Sequence, residues 1–215
     1  GWFDENGQPL QPKERFIEVL TLMQQMREEG VDGDISVWSG LGVSALSGEG
    51  EFEVAMVPAA ASFGGGLRNW MAPDVAGWRV TTLPGNESAL AGGTFLVIPD
   101  SLKSSQKAAA WEVIKFLSTN QKAQEIIYRT IDAFPVLESA YDSPVLTESV
   151  DYFGGQAVGA IYAEAARNMP SLSVSPYDPI ADGIWGNAVG ELLMGMKTPE
   201  EAYTQALNEI LATAD

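Results

Sequence analysis

The chain has 215 residues and a formal net charge of −17; 46% of its residues are apolar and 19% are charged. This length allows one sizeable domain or two small ones, and this balance is typical of a globular rather than a disordered chain. The negative charge argues against nucleic acid and anionic membrane surfaces as partners, because both would repel the chain. No apolar run approaches the roughly 20 residues that cross a bilayer.

The sequence contains neither Cys nor His. Without Cys there is no disulfide, no thiolate nucleophile and no Cys-based metal site. Without His the usual general base and the commonest transition-metal ligand are missing. We therefore expect no metal and no cofactor.

The first 50 residues predict a turn, a helix and a loop. Asn6-Gly7 is typical of a tight hairpin turn. Residues 12–29 have apolar side chains at helical spacing and end at Gly30, which predicts an amphipathic helix. The Gly- and Ser-rich stretch 34–50 predicts a loop, in which Trp38 is either a packing anchor or a platform for a ligand.

The next segments predict two strands separated by a glycine-rich loop. Residues 51–58 alternate and then become fully apolar, which favours a strand entering a core. Residues 59–66 end in three successive glycines without the spacing of a nucleotide-binding loop, so we expect a flexible loop beside a cleft. Residues 78–83, WRVTTL, predict a second short strand that ends at a Pro-Gly turn.

Residues 91–124 predict a strand followed by helices. Gly92-Gly93 precede the β-branched and aromatic run 94–98, which is typical of a buried strand. Residues from 104 to about 119 predict an amphipathic helix, and Asn120 is a candidate N-cap for a second helix over 121–130. A strand followed directly by a helix is an α/β unit.

The last third of the chain predicts mainly helices. Short helical turns are expected over 139–155, and longer helices over 156–168, 180–194 and from Pro199 to about residue 213. The prolines of 169–179 predict an extended surface loop between two of these helices. Thr198-Pro199-Glu200-Glu201 has the composition of a helix N-terminus.

The order of these pieces resembles the C-terminal half of bacterial extracellular solute-binding proteins of ABC importers, the maltose-binding-protein-like group. The matching motifs are FEVAMV at 52–57, VTTLPG at 80–85, GG before the strand at 94–98, SSQKAAAWEVIKFLST at 104–119, and TPEEA at 198–202. The resemblance implies a type II periplasmic-binding-protein-like α/β fold with two lobes and a hinge. It places 1–91 in the second lobe, 92–142 in the first lobe after a hinge crossing, and 143–215 back in the second lobe.

The resemblance also implies a ligand site in the cleft between the lobes. Sugar sites combine aromatic faces with planar polar groups. Six residues lie where such a site is expected: Trp38, Phe63, Gly92, Gly93, Tyr177 and Trp185. Trp185 either stacks on a sugar or packs in the core, and Phe63 stands where other members have a stacking Trp. Gly92 and Gly93 either let a ligand approach the backbone or act only as hinge residues.

The function implied is non-enzymatic binding of a mono- or oligosaccharide and its delivery to a membrane permease. We expect the full-length protein to be a monomer in the periplasm or outside the cell. A lipid anchor attached to an N-terminus that precedes this chain is compatible with this location. Three alternatives stay open: a binding protein for another solute such as a polyamine or glycerol phosphate, a glycoside hydrolase with two carboxylates, and a protein-interaction module.

Gly93 offers a test of the hinge interpretation. We expect Gly93→Val in the full-length protein to weaken sugar binding more than it lowers the melting temperature, because a branched side chain would keep the ligand from the backbone. Titration calorimetry with a panel of sugars and a thermal melt measure the two effects. Equal losses would instead assign this stretch a purely structural role.

Overall fold

The computed structural model describes residues 2–51, 53–90 and 92–214. Eight α-helices lie in these residues: α1 Lys13–Glu28, α2 Gly40–Leu46, α3 Ala61–Gly66, α4 Ser104–Thr119, α5 Gln121–Ile131, α6 Val158–Arg167, α7 Asp178–Leu193 and α8 Pro199–Ala214. None of the described helices is both long and apolar enough to cross a membrane.

The chain forms two compact units. Unit 1 comprises Gly1–Asp34 and Ser171–Asp215, and unit 2 comprises Ile35–Pro170. The lobe boundaries inferred from the family resemblance concern the whole two-lobed fold, and they stay a prediction.

Unit 1 is a bundle of α1, α7 and α8 around one apolar core. The core residues recur at helical spacing on α7 and α8, whereas α1 contributes Leu20 alone. Val19 and Leu22, which the sequence places on the apolar face of α1, are exposed. The core residues are Phe3, Leu20, Ala181, Trp185, Ala188, Leu192, Ala202, Tyr203, Ala206 and Ile210. The predicted loop over 169–179 is confirmed up to residue 177, whereas its last two residues begin α7.

A reciprocal pair of hydrogen bonds begins α8. The Glu201 carboxylate accepts from the Thr198 backbone N–H at 2.9 Å, and the Thr198 hydroxyl accepts from the Glu201 backbone N–H at 3.3 Å. This capping box satisfies two donors that a helix N-terminus otherwise leaves open. The hydrogen bond from the Thr198 backbone lowers the pKa of Glu201.

The N-terminal segment of unit 1 is a tight turn that is attached to α7. Phe3 pairs with Pro9 across the turn, and Gly7 has the positive φ of +77° that the Asn-Gly pattern predicts. Asp178, the first residue of α7, accepts from the Trp2 backbone N–H at 3.0 Å and from the Ser175 backbone N–H at 2.8 Å. One carboxylate thus joins the N-terminal turn to the loop before α7.

Unit 2 confirms the predicted helices after residue 103. Asn120 caps α5, because its side-chain oxygen accepts from the Ala123 backbone N–H at 3.0 Å. At α4 the Gln106 side chain accepts from the Lys103 backbone N–H at 3.1 Å. The predicted helical turns over 139–155 are present as three short 3₁₀ segments, Glu138–Ala140, Pro144–Thr147 and Asp151–Phe153.

Two segments that the sequence predicts as loops are helical. Residues 34–50 contain α2, and 59–66 contain α3 instead of a flexible loop. Gly64, Gly65 and Gly66 are buried. A methyl group at Gly64 would lie 2.5 Å from the Tyr162 hydroxyl oxygen, and one at Gly65 would lie 3.0 Å from the Asp132 Cβ. These glycines therefore permit close packing of α3 and do not provide flexibility.

The predicted strands are wrong for the residues that the structure describes. In 53–58, 78–83 and 94–98 no residue belongs to a strand ladder. Val80 instead pairs with a side chain: the Gln156 amide accepts from its N–H at 2.8 Å and donates to its C=O at 2.9 Å. An apolar run becomes a strand only when a neighbouring backbone supplies the hydrogen bonds, and the described residues supply none for 94–98.

The close packing at Gly64 generates a prediction for stability. We expect Gly64→Ala to destabilise the protein by about 1–3 kcal/mol, because the methyl group would push against the Tyr162 ring. Gly40→Ala is the matched control, since a methyl group there would meet no atom within 4 Å. Urea unfolding measures both variants. A flexible loop at 59–66 would instead leave Gly64→Ala as stable as the control.

Asp178 generates a prediction for pH dependence. The two backbone hydrogen bonds, that of Ser175 first, lower the pKa of Asp178 below its ordinary value of 3.8. A lowered pKa stabilises the fold at pH values above the ordinary pKa, and this stabilisation is lost as the pH falls through the lowered value. We expect wild type to exceed Asp178→Asn in urea stability near about pH 6, with the difference shrinking below about pH 4. A difference that does not change down to about pH 3 would contradict the assignment.

Candidate functional site

Unit 2 exposes two indole rings that are stacked on each other. The Trp38 and Trp70 ring centroids are 6.1 Å apart, and their planes differ by 24°. Trp38 is 63% exposed and Trp70 is 59% exposed. The buried ring of Phe63 meets Trp38 edge-on at 5.6 Å and 89°. We call Trp38, Phe63 and Trp70 the aromatic platform.

The turn before α2 fixes Trp38. The Ser39 hydroxyl donates to the Ser36 carbonyl at 2.7 Å and accepts from the Gly42 backbone N–H at 3.0 Å, so it caps α2. A side chain at Gly42 would overlap the Ser36 carbonyl oxygen. The glycine therefore allows the turn to close, and the closed turn sets the direction in which the neighbouring Trp38 leaves the backbone.

Trp70 lies in a wide helical turn that continues α3. Leu67–Met71 is a π-helical segment, in which the Ala72 N–H donates to the Leu67 carbonyl at 2.9 Å. Inserted residues of this kind rotate the side chains that follow them and often occur at functional sites. A methyl group at Gly66 would lie 3.4 Å from the Trp70 indole nitrogen, so the ring rests directly against this glycine.

Asp132 holds this wide turn against the end of α5. Its carboxylate accepts from Arg68 Nη1 at 2.8 Å and from Asn69 Nδ2 at 2.8 Å. Asn69 Nδ2 also donates to the Gly65 carbonyl at 2.8 Å. Asp132 has a left-handed backbone with φ of +57°, and it ends α5. A single carboxylate therefore fixes the two residues that directly precede Trp70.

The buried Tyr128 and the partly buried Tyr162 lie in this part of unit 2. Burial, with a smaller contribution from Tyr128, raises the pKa of Tyr162 to about 12. Burial also raises the pKa of Tyr128. Both phenols are uncharged at neutral pH, and the Tyr162 hydroxyl lies directly against Gly64 of α3.

The platform can bind a flat or cationic ligand on its outer face. Stacked aromatic groups lie about 3.5 Å apart, so placing a ring between two indoles needs a separation of about 7 Å. The observed 6.1 Å leaves no room for such insertion. An indole face binds the C–H side of a sugar ring or a cation. In the described part of the chain, no cluster of three or more Asp, Glu, His or Cys side chains is arranged to hold a metal ion.

The predicted glycine pair lies apart from the platform. Gly92 and Gly93 are exposed, and a methyl group at either residue would meet no atom within 4 Å. Gly92 has a positive φ of +103°, which only glycine adopts without strain. Neither glycine therefore packs against Trp38, Phe63 or Trp70.

The other two predicted residues belong to unit 1. Trp185 is buried, with its ring centroid 4.5 Å from that of Phe16 and 5.6 Å from that of Trp2. Tyr177 is partly exposed, 6.1 Å from Phe3 between ring centroids. Trp185 therefore packs in the core of unit 1, which was one of its two interpretations. Roles of both residues in ligand binding stay predictions.

The sequence patterns do not identify Trp70 or Trp2. Trp70 follows Phe63 by two helical turns, so both would have appeared on one face if 61–71 had been recognised as helical. The three glycines concealed this pattern. Trp2 stacks on Trp185 at 22°, and its indole N–H donates to Asp182. No local pattern connects residues so far apart in the sequence.

Comparisons with known proteins identify the family. A sequence model described as bacterial extracellular solute-binding protein matches residues 3–154. A crystal structure described as extracellular solute-binding protein family 1 superposes with a TM-score of 0.67 at 19% identity, covering 100% of this chain and 54% of that chain. No curated protein sequence matches significantly.

The chain thus spans about half the length of the solved protein that it matches. The superposition confirms the predicted fold class, a fragment of the α/β periplasmic-binding-protein fold. The sequence match extends over most of the chain and agrees with it. The chain therefore belongs to the bacterial extracellular solute-binding proteins, which are binding proteins and not enzymes.

Proposed function

We propose that the protein is the substrate-binding component of an ABC importer and that it binds a mono- or oligosaccharide. The ligand lies in a cleft between two lobes, and the loaded protein delivers it to the membrane permease. The protein acts as a monomer in the periplasm or outside the cell, either free or attached to the membrane by a lipid anchor. Membership of the solute-binding family supports the general role.

The observation that supports a carbohydrate ligand is the exposed pair of indoles in the aromatic platform. Trp is a large apolar residue that a protein surface seldom exposes without a partner, and two stacked neighbours form a continuous aromatic face. The C–H groups of a pyranose ring pack well on such a face. Arg68 lies two residues before Trp70 and is 40% exposed, and of its guanidinium only Nη1 donates to a described side chain. The other N–H groups suit sugar hydroxyls.

A polyamine is the second candidate. Its ammonium groups would bind the same indole faces through cation–π contacts. The net charge of −17 favours the approach of a cation. Glycerol phosphate is less well supported, because the carboxylate of Asp132 already neutralises Arg68.

The remaining site residues complete the proposal. Gly92 and Gly93 lie at the hinge between the lobes and let the ligand approach the backbone. Tyr177 contributes aromatic surface from the second lobe, and Trp185 takes part indirectly, as the buried ring on which Trp2 stacks. The first lobe takes in 92–142, while 1–91 and 143–215 belong to the second lobe.

Substitutions of Trp70 test the carbohydrate proposal. We expect Trp70→Leu in the full-length protein to weaken binding of the best sugar by about 2- to 12-fold, because aromatic stacking contributes about 0.5–1.5 kcal/mol beyond apolar contact. Trp70→Phe is the matched control and should retain most of the affinity, since it keeps an aromatic face. Titration calorimetry over a panel of sugars, polyamines and glycerol phosphate gives the affinities.

The panel also separates the candidates. Binding of a polyamine alone would replace the sugar by the second candidate. Equal effects of Trp70→Leu and Trp70→Phe would show that the ligand contacts apolar surface and not an aromatic face. If no sugar binds to the wild-type protein, the carbohydrate proposal is wrong.

A further inference from the structure

The turn that carries Trp70 is not stable by its own sequence. It continues α3, whose last three residues are the glycines 64–66, and glycine is among the poorest helix formers. Leu67–Met71 then follows a wide π-helical path, which is rare in proteins and occurs mostly as single turns. Contacts from other parts of unit 2 must therefore hold this turn, and with it the ring of Trp70.

Hydrogen bonds from elsewhere in unit 2 hold the turn on both sides of the Trp70 ring. Before the ring, Arg68 Nη1 donates to one oxygen of the Asp132 carboxylate and Asn69 Nδ2 donates to the other, each at 2.8 Å. After the ring, the Tyr152 hydroxyl donates at 2.8 Å to the backbone carbonyl just beyond the turn. The bonds to the carboxylate are the stronger support, because hydrogen bonds to an ionised group are roughly twice as strong as neutral ones.

The Asp132 carboxylate is itself held in place. Asp132 ends α5 with a left-handed backbone, φ +57°, and its N–H donates to the Tyr128 carbonyl at 2.9 Å. Its side chain is only 19% exposed, which limits the screening of its charge. A methyl group at Gly65 would lie 3.0 Å from the Asp132 Cβ, so α3 packs directly on this residue. The position of the carboxylate therefore sets the position of the turn.

The carboxylate and the ring are connected through the backbone. Among the described residues, Asp132 makes no hydrogen bond to Trp70, and its partners Arg68 and Asn69 precede the ring in the chain. The ring itself rests on Gly66, where a methyl group would lie 3.4 Å from the indole nitrogen. A displacement of the two bonded residues would therefore change the direction in which Trp70 leaves the turn.

We propose that Asp132 is a positioning residue for solute binding: its carboxylate sets the orientation of Trp70, and with it the aromatic face that a solute meets. This inference rests on the proposed function, because it takes the aromatic platform as the binding surface. It extends that function by assigning a role in binding to a residue that does not itself contact the solute.

Asp132→Asn removes the proposed support with little other change. Asn has nearly the same shape and also tolerates the left-handed backbone. Its amide has one acceptor oxygen, whereas Arg68 and Asn69 both donate to this side chain. If the Asn69 amide turned over to present its own oxygen, it would lose its bond to the Gly65 carbonyl. The variant can therefore satisfy only part of the network that holds the turn.

A double-mutant cycle with Trp70, measured by titration calorimetry on the full-length protein, tests the proposal. We expect Asp132→Asn to weaken binding of the best sugar of the panel by about 2- to 5-fold, but by less than about 1.5-fold in a Trp70→Leu background. Asp142→Asn is the matched control and should leave the affinity unchanged, because Asp142 forms an exposed ion pair with Arg167. If only a polyamine binds, spermidine replaces the sugar.

Circular dichroism tests the same proposal without any solute. Two stacked indoles couple their electronic transitions and give an exciton band. The difference between wild type and Trp70→Phe isolates the band of the platform from that of the stacked indole pair in unit 1. We expect Asp132→Asn to weaken the platform band and Asp142→Asn to retain it. A loss of stability alone would not produce this pattern in the folded protein.

Two results would overturn the proposal. Equal weakening of binding with and without the Trp70 ring is one, because Asp132 or Arg68 would then contact the solute directly. An unchanged platform band in Asp132→Asn is the other. If wild type binds no solute of the panel while the band still responds, the orienting role of Asp132 stands and its role in binding fails together with the proposed function.

A milder variant keeps the test decisive if Asp132→Asn does not fold. Asn69→Ala removes one of the two hydrogen bonds to the carboxylate and leaves the ion pair with Arg68 intact. It should weaken the platform band and the binding of the same sugar in the same direction, by smaller amounts. Asn69→Ala with the band and the affinity of wild type would overturn the proposal.

Discussion

The close approach of α3 to Tyr162 and Asp132 is the constraint on which the rest of unit 2 depends. It requires that Gly64 and Gly65 have no side chains, because a methyl group at either position would meet a neighbour at 2.5 or 3.0 Å. Glycine is a poor helix former and costs about 1 kcal/mol relative to alanine in a helix. This segment therefore depends on tertiary packing for its helical conformation, which explains why a glycine-rich sequence is helical here and would be a loop elsewhere.

The carboxylate of Asp132 connects the packed helix α3 to the turn that positions Trp70. It accepts from Arg68 and Asn69 at 2.8 Å, and these residues belong to the wide turn that presents Trp70. An exposed ion pair alone adds little stability. Here, however, the carboxylate is mostly shielded and also bonds an amide that is tied to α3, so it fixes a conformation. A rigid support reduces the entropy that an exposed aromatic face loses when a ligand binds.

The sequence predicts the helices well and the site only in part. Caps and apolar spacing are local signals. Asn120 and Thr198 predict the starts of α5 and α8, and the apolar spacing predicts α1 and α7. Trp38 and Phe63 are also predicted as site residues, and they do lie together. The sequence does not predict Trp70 as a site residue, because the position of Trp70 depends on α3. No local helix propensity indicates that α3 is helical. The strand at 94–98 is predicted from its composition, yet a strand requires a partner backbone, and composition cannot supply one.

Two of the exposed apolar surfaces in the described part of unit 2 differ in how they are supported. The platform has a buried ring beneath it, and its neighbouring turn is held by hydrogen bonds, so it is preformed. Residues 94–98 have neither a supporting core nor bonded backbone groups among the described residues. Such a segment gains its structure only together with its partner.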